Sequence, residues 1–308
     1  MHVVCTKDLN TPRMASGMRA VCMVLLICIA SAPAAFGRVT VTDDRSDWLK
    51  LAQPVKRIIS LAPNITELLF AAGAGRRIVG TVDYSDYPAA ARAIPRIGNY
   101  GELNLEALLE LRPDLIVAWG SGSPAAQLQR LRQLGIPVYV SEPRRLRDIA
   151  TNIEKLGRLA GNEVTALRAA VAFRRRLNAL RKRYVDRPEI SIFYEVWHEP
   201  LTTINGRHLI SQVMRLCGGR NVFGDLPTLA PQINLEAVLA RDPDVIIASG
   251  AGRTRPAWLD AWRQYSALKA VKAGQLYFIA PDLIERNTAR VLDGAQIMCR
   301  QLEQARLK

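Results

Sequence analysis

The side chains with chemical potential in this chain are scattered, and none of the familiar catalytic constellations brings them together. The 308-residue sequence has no G-x-S-x-G elbow, no Walker loop, no H-E-x-x-H pair and no cysteines at zinc spacing. Its histidines are His2, His198 and His208, and no close carboxylate pair falls in a predicted pocket loop. Nothing in these patterns calls for catalysis. Aromatic residues carry the stronger signal. Tyr84, Tyr87, Tyr100, Trp119 and Trp197 fall at the predicted carboxyl ends of strands, the edge of a parallel α/β sheet that faces ligands. Flat rings there offer broad apolar contact with polar tips. Each has the alternative of packing against its own loop, just as His198 beside Trp197 has the alternative of being an ordinary loop residue.

A long-range repeat separates the two readings for Trp119. Asn104–Gly122, NLEALLELRPDLIVAWGSG, returns as Asn234–Gly252, NLEAVLARDPDVIIASGAG, with eleven of nineteen positions identical. The counterpart of Trp119 is Ser249, so the scaffold does not require an indole there and a ligand role is favoured. Glu106 and Glu236 are also counterparts. Each follows Asn-Leu, which puts the asparagine at a helix N-cap and the glutamate in the first turn, where it offsets the helix dipole by roughly 0.3–1 kcal/mol. One exposed glutamate per repeat also makes a symmetric pair of docking charges, and the two roles are compatible.

Each copy reads as a helix, a Pro-Asp turn, a buried strand and a glycine-rich exit. The rest of the chain alternates likewise, with strands predicted over 57–62, 78–82, 115–119, 138–140, 189–196, 245–249 and 275–279. That alternation predicts parallel α/β sheets. Residues 163–184 run helical without glycine or proline; 22 residues at 1.5 Å each make a strut of roughly 33 Å. A repeat on either side of a strut predicts two lobes with a cleft between them. Residues 38–53 read as a loose amino-terminal arm, 54–160 as the first lobe, 161–185 as the linking helix and 186–308 as the second lobe.

Residues 1–37 read as a cleavable secretory signal: Arg13 and Arg19 precede the apolar run Val21–Ala30, and small residues follow at Ala32, Ala34, Ala35 and Gly37. The run is too short to span a bilayer well. Cleavage removes Cys5, Cys22 and Cys28, leaving Cys217 and Cys299. Two cysteines in an exported chain read as one disulfide, with two buried free thiols as the alternative. The net charge is +14; the leader takes Lys7, Arg13 and Arg19 against Asp8, so the mature chain keeps +12. The basic runs at 174–176 and 181–183 lie along a helix without interleaved aromatics. They read as a solvated face and not as a nucleic-acid surface.

The segments RIISLAPNITELLFAAGAGRRIVGTVDYSDYP, NLEALLELRPDLIVAWGSG, CGGRNVF, PQINLEAVLARDPDVII and DLIERNTAR, within about residues 54–305, resemble the periplasmic substrate-binding proteins with a helical backbone. That family serves ABC importers of cobalamin, haem and ferric siderophores. S-L-A-P-x-x-T-E and N-L-E-x-x-x-x-L-x-P-D-L-I are shared across it, whereas D-Y-S-D-Y-P with A-W-G points to its cobalamin-binding members. The resemblance implies an α/β class III fold, two lobes with mainly parallel sheets joined by one long helix and moving little. It implies a soluble, monomeric periplasmic receptor that takes cobalamin or a related corrinoid between its lobes and delivers it to an ABC permease dimer. No catalysis, no cofactor, no metal of its own and no nucleic-acid partner are expected, and the alternative cargo is haem or a ferric siderophore. By motif position the ligand contacts fall on Pro63, Asn64, Tyr84, Tyr100, Trp119, Asp282 and Arg286. Glu106 and Glu236 match glutamates that dock onto permease arginines, and Cys217 and Cys299 match a disulfide. Tyr100, Ala230 and Leu283 stand where cobalamin binders carry tryptophan, which leaves less ring area against a corrin; Tyr100 or Tyr84 would be the iron ligand of a haem binder.

Overall fold

The computed structural model describes residues 37–308 apart from 100, 101 and 251; residues 1–36 of the leader and Tyr100 lie outside the described residues. The segment read as a loose arm is instead an antiparallel hairpin, β1 (Val39–Thr42) paired with β2 (Trp48–Leu51). Asp43 builds its turn, accepting from the backbone N–H groups of Arg45 at 2.8 Å and Asp47 at 2.9 Å. Alternation along β1 sends Val39 and Val41 into the core.

The first lobe continues through β3 (Ile58–Ser60), α1 (Pro63–Ala71), β4 (Ile78–Thr81), α2 (Leu105–Glu110), β5 (Leu115–Trp119), α3 (Ala125–Gln133), β6 (Val138–Ser141) and α4 (Leu146–Leu159). The long helix α5 (Glu163–Tyr184) follows. The second lobe contains β7 (Ile190–Glu195), α6 (Leu209–Leu216), β8 (Gly219–Asn221), α7 (Leu235–Arg241), β9 (Val245–Ala248), α8 (Lys269–Lys272), β10 (Leu276–Phe278), α9 (Pro281–Ile284) and α10 (Val291–Arg306). Each lobe holds a four-stranded sheet with every neighbour parallel, ordered β4-β3-β5-β6 and β10-β9-β7-β8. The edge strand β8 was not foreseen, because three residues, Gly-Arg-Asn, carry no strand periodicity.

Parallel sheets covered on both faces need near-continuous apolar strands. Accordingly LIVAW of β5, VYVS of β6, ISIFYE of β7 and VIIA of β9 are buried almost throughout. One face of each sheet enters a single apolar core that passes through Ala166, Ala170, Phe173, Leu177 and Tyr184 of α5, so the lobes share it. The outer faces close separately, on Leu108, Leu128 and Leu131 in the first lobe and on Phe223, Val238, Leu259 and Trp262 in the second.

α5 is fixed to both lobes. A Cβ at Gly157 of α4 would lie 2.1 Å from that of Ala166, so the missing side chain is what lets α4 and α5 approach. Glu154 of α4 takes both terminal nitrogens of Arg174 at 2.5 and 2.7 Å, and Arg176 reaches Asp293 of α10 at 2.6 Å. Cys217, at the end of α6, is disulfide-bonded to Cys299 of α10, with Cα atoms 4.7 Å apart. Among the described residues no helix is long and apolar enough to cross a membrane.

Candidate ligand site between the lobes

A cavity of about 480 Å³ opens between the lobes, within the range of ordinary ligand pockets. The first lobe supplies Trp119–Ser121 after β5, Glu142–Arg144 after β6, and Asp44 and Arg45 from the hairpin turn. The second supplies Arg207–Leu209 at the start of α6, with Leu229, Glu285 and Asn287. Trp119 is half-buried at the end of β5. A Cβ at Gly122 would stand 1.9 Å from its Cε3, so the glycine of the repeat's exit provides the seat for the indole. The indole N–H is buried and meets no protein acceptor. The hairpin turn is a true wall of the cavity. Asp44 accepts from Glu142 N–H at 2.7 Å and Asn152 Nδ2 at 2.8 Å and pairs with Lys155 at 3.1 Å, while Arg45 donates to the Gly120 carbonyl at 3.0 Å.

The polar groups on the wall are held in defined states. Burial raises the pKa of Glu285, opposed by a hydrogen bond from Ser249. Thus the repeat counterpart of Trp119 serves the same cavity by holding one of its carboxyls. Burial lowers the pKa of His208 to about 4. His208 caps α6, its Nδ1 accepting from Ile210 N–H at 3.2 Å, so the neutral ring carries its proton on Nε2. Glu142 accepts from Ser121 N–H at 2.5 Å.

A second cluster joins the lobes beside this cavity. Glu67 of α1 accepts from Arg286 Nη1 at 2.9 Å, Thr288 Oγ1 at 2.9 Å, and Arg290 Nε and Nη2 at 2.9 and 2.6 Å. Arg286 also reaches Asp86 at 3.3 Å and the Tyr84 carbonyl at 3.2 Å. Asp282 pairs with Arg290 at 3.1 Å and Arg253 at 3.0 Å, and its buried Oδ1 has no partner. The chain after α9 therefore alternates: Glu285 and Asn287 line the cavity, whereas Arg286 and Thr288 bind Glu67. A buried hydroxyl chain, Ser60–Thr66–Thr81–Ser85 with each step 2.8 Å, ties β3, α1 and β4 to the DYSDYP loop.

Of the seven residues expected at the ligand, Trp119 lines the cavity. Asp282, Arg286 and the Tyr84 backbone belong to the interlobe ion cluster. Pro63 and the buried Asn64 open the helix that carries Glu67. The Tyr84 side chain is 78% exposed, on a left-handed backbone with φ of 62°. Trp197 donates to the Glu199 carbonyl at 2.8 Å, and His198 binds Glu195 at 2.8 Å and stacks on Trp258; neither lines the cavity. Sequence reasoning missed Glu67, Glu285, His208, Asn287 and the hairpin residues; only Glu67, a lone charge in an apolar helix, left a readable trace. Glu106 and Glu236 are exposed in the first turns of α2 and α7, behind N-caps at Asn104 and Asn234 that each accept at 3.0 Å. Among the described residues no group of three or more His, Cys, Asp or Glu is placed to hold a metal.

The profile of the periplasmic binding protein family matches residues 58–283. The vitamin B12-binding protein of Vibrio cholerae serotype O1 is 39% identical over 250 residues, covering 81% of this chain and 90% of that protein. The vitamin B12-binding protein of Yersinia pestis is 36% identical over 251 residues, covering 82% and 88%. Among solved structures, the periplasmic vitamin B12 binding protein BtuF of Vibrio cholerae aligns with a TM-score of 0.76 at 39% identity, over 83% of this chain and 99% of that one. The periplasmic heme-binding protein BhuT in complex with two hemes aligns with a TM-score of 0.73 at 23% identity, over 81% and 98%, a likeness of fold alone.

Proposed function

The chain belongs to the periplasmic binding protein family, and we propose that it captures cobalamin or a related corrinoid between its lobes and delivers it to an ABC transporter permease. The observation that carries this reading is the 39% identity to a vitamin B12-binding protein over 90% of that protein's length. The interlobe cavity with Trp119 on its wall supports it. Binding, not turnover, is the mechanism. The indole gives one flat contact for a macrocycle. Its free N–H, the Nε2–H of His208 and the carboxyl of Glu285 meet amide groups, where a buried donor left unpaired would cost about 1–3 kcal/mol. Pro63, Asn64, Tyr84 and Tyr100 complete the contact surface, and Asp282 and Arg286 join it by exchanging ion-pair bonds for bonds to the ligand. The core shared through α5 keeps the lobes near one arrangement and limits the ordering cost of binding. Residues 1–37 serve as the export signal. Glu106 and Glu236 meet basic residues of the permease, one from each lobe.

The test is retention after dialysis. Purified mature protein equilibrated with cyanocobalamin keeps one equivalent, and protein equilibrated with haemin shows no bound Soret band. Retention of haemin with loss of cyanocobalamin would replace the corrinoid by haem as the cargo.

A further inference from the structure

Two hollows meet at Arg144 and Arg207. One is the interlobe cavity. The other is an open groove of about 930 Å³ lined by Arg144, Arg145, Arg147, Arg181, Arg207 and Arg215, with no carboxylate among its lining residues. The two shared arginines come from opposite lobes, Arg144 from the chain after β6 and Arg207 from the chain before α6. Neither takes part in an ion pair among the described residues. Each is nonetheless placed: the Arg144 carbonyl accepts from Gln212 Nε2 at 2.7 Å, and the Arg207 guanidinium donates to the Pro227 carbonyl. The carboxylates of the cavity itself are engaged elsewhere, Asp44 with Lys155, Glu142 with Ser121 and Glu285 with Ser249.

An arginine-lined groove that continues a ligand cavity fits a ligand with an amide-fringed body and one anionic extension. A complete corrinoid has that form: its ring periphery carries amides, and its nucleotide loop carries one phosphodiester. The cavity of about 480 Å³ is small for the whole molecule, and the adjoining groove supplies the missing room. Guanidinium forks match phosphate oxygens in pairs and keep their charge at any physiological pH. We propose that the groove is a nucleotide-loop subsite, in which Arg144 and Arg207 hold the phosphodiester where the cavity opens outward. This rests on the corrinoid reading and adds to it a preference for complete corrinoids over cobinamide, which lacks the loop.

The test compares dicyanocobalamin with dicyanocobinamide, whose axial ligands match, by calorimetry on the mature wild-type protein and on the Arg144→Gln/Arg207→Gln variant. The wild type should bind the cobalamin about tenfold more tightly, the scale of charge-assisted hydrogen bonds to one anion. Added salt should narrow that gap. In the variant the gap should close, cobalamin affinity falling by about tenfold more than cobinamide affinity, and an unchanged urea midpoint marks an intact fold. Equal affinities in the wild type, or a parallel fall for both ligands in the variant, would overturn the subsite while leaving corrinoid binding standing. Failure of the wild type to bind either ligand would instead remove the corrinoid reading, and the subsite with it.

Discussion

Glu67 and Arg290, 223 residues apart in sequence, meet between the lobes in a two-point ion pair, with Nε to Oε2 at 2.9 Å and Nη2 to Oε1 at 2.6 Å. The Arg290 guanidinium also lies 3.9 Å over the ring of Tyr87 and 3.1 Å from Asp282. Burial alone would lower the Arg290 pKa, but the hydrogen bonds and charge of Glu67, followed by those of Asp282, outweigh it and raise it. Its charge is therefore permanent and depends mainly on Glu67, then on Asp282, for compensation. Replacing Glu67 with alanine leaves Arg290 with Asp282 as its one carboxylate partner among the described residues and removes an acceptor of Arg286 and Thr288. Removing one partner of a buried pair costs about 3–5 kcal/mol, and urea unfolding of Glu67→Ala should show a loss on that scale. A loss below about 1 kcal/mol would mean that the pair behaves like an exposed one.

Gly122 should be intolerant of any side chain for a reason specific to the ligand site. A Cβ there would meet Trp119 Cε3 at 1.9 Å, so Gly122→Ala must displace the indole or shift the loop. Ligand affinity should fall about tenfold or more, the scale of a lost aromatic contact. An unaltered titration curve for Gly122→Ala would show that the indole's position is irrelevant to binding.

His208 gives the fold a pH dependence. Its native pKa of about 4 lies below the ordinary histidine value of 6.5, so the unfolded chain takes up a proton in this window before the native one does. The stabilisation is fully present above about pH 6.5 and is lost as pH falls towards 4, by on the order of 3 kcal/mol. Glu285 and Glu195, both raised from 4.5 by burial, act in the opposite sense, their contributions being present below about 4.5 and lost as pH rises through the native values. Comparison with His208→Asn, which keeps an N-cap acceptor and removes the titration, isolates the histidine. The difference in stability between the two proteins should change between pH 7 and pH 4; a constant difference would contradict a buried neutral imidazole.

Glu106 and Glu236 sit exposed at matching helix starts, with their N-cap bonds made by Asn104 and Asn234. Charge reversal at both should leave ligand affinity unchanged, cost about 1 kcal/mol or less of stability at each helix, and abolish most ligand uptake in a reconstituted transporter. Undiminished transport would leave them only the dipole role.

The parts of the fold that rest on local patterns were legible from the sequence. Asn-Leu-Glu marks an N-cap and first turn, and LIVAW and VIIA are apolar runs of strand length. The gap-free stretch at 163–184 coincides with α5. The hairpin at 39–51 was missed because each strand has only four residues and its turn depends on the Asp43 carboxylate, which also binds Val140 N–H at 3.2 Å on a distant strand. The site was less legible. Trp119 emerged because the repeat offered Ser249 as an internal comparison. Glu67, Thr288 and Arg290 have no such counterpart, and a bond spanning more than 200 residues leaves no periodicity to find. The alternation of Glu285 and Asn287 against Arg286 and Thr288 is a property of the packed lobes and of no single segment.

Calorimetric titration of the mature protein with cyanocobalamin and with haemin, repeated on Trp119→Ala, tests corrinoid capture between the lobes most directly. We predict one cyanocobalamin site per chain, affinity reduced at least about tenfold in Trp119→Ala, and no saturable haemin heat. A haemin isotherm in place of the cyanocobalamin one, or a Trp119→Ala isotherm superimposable on the wild type, would contradict it.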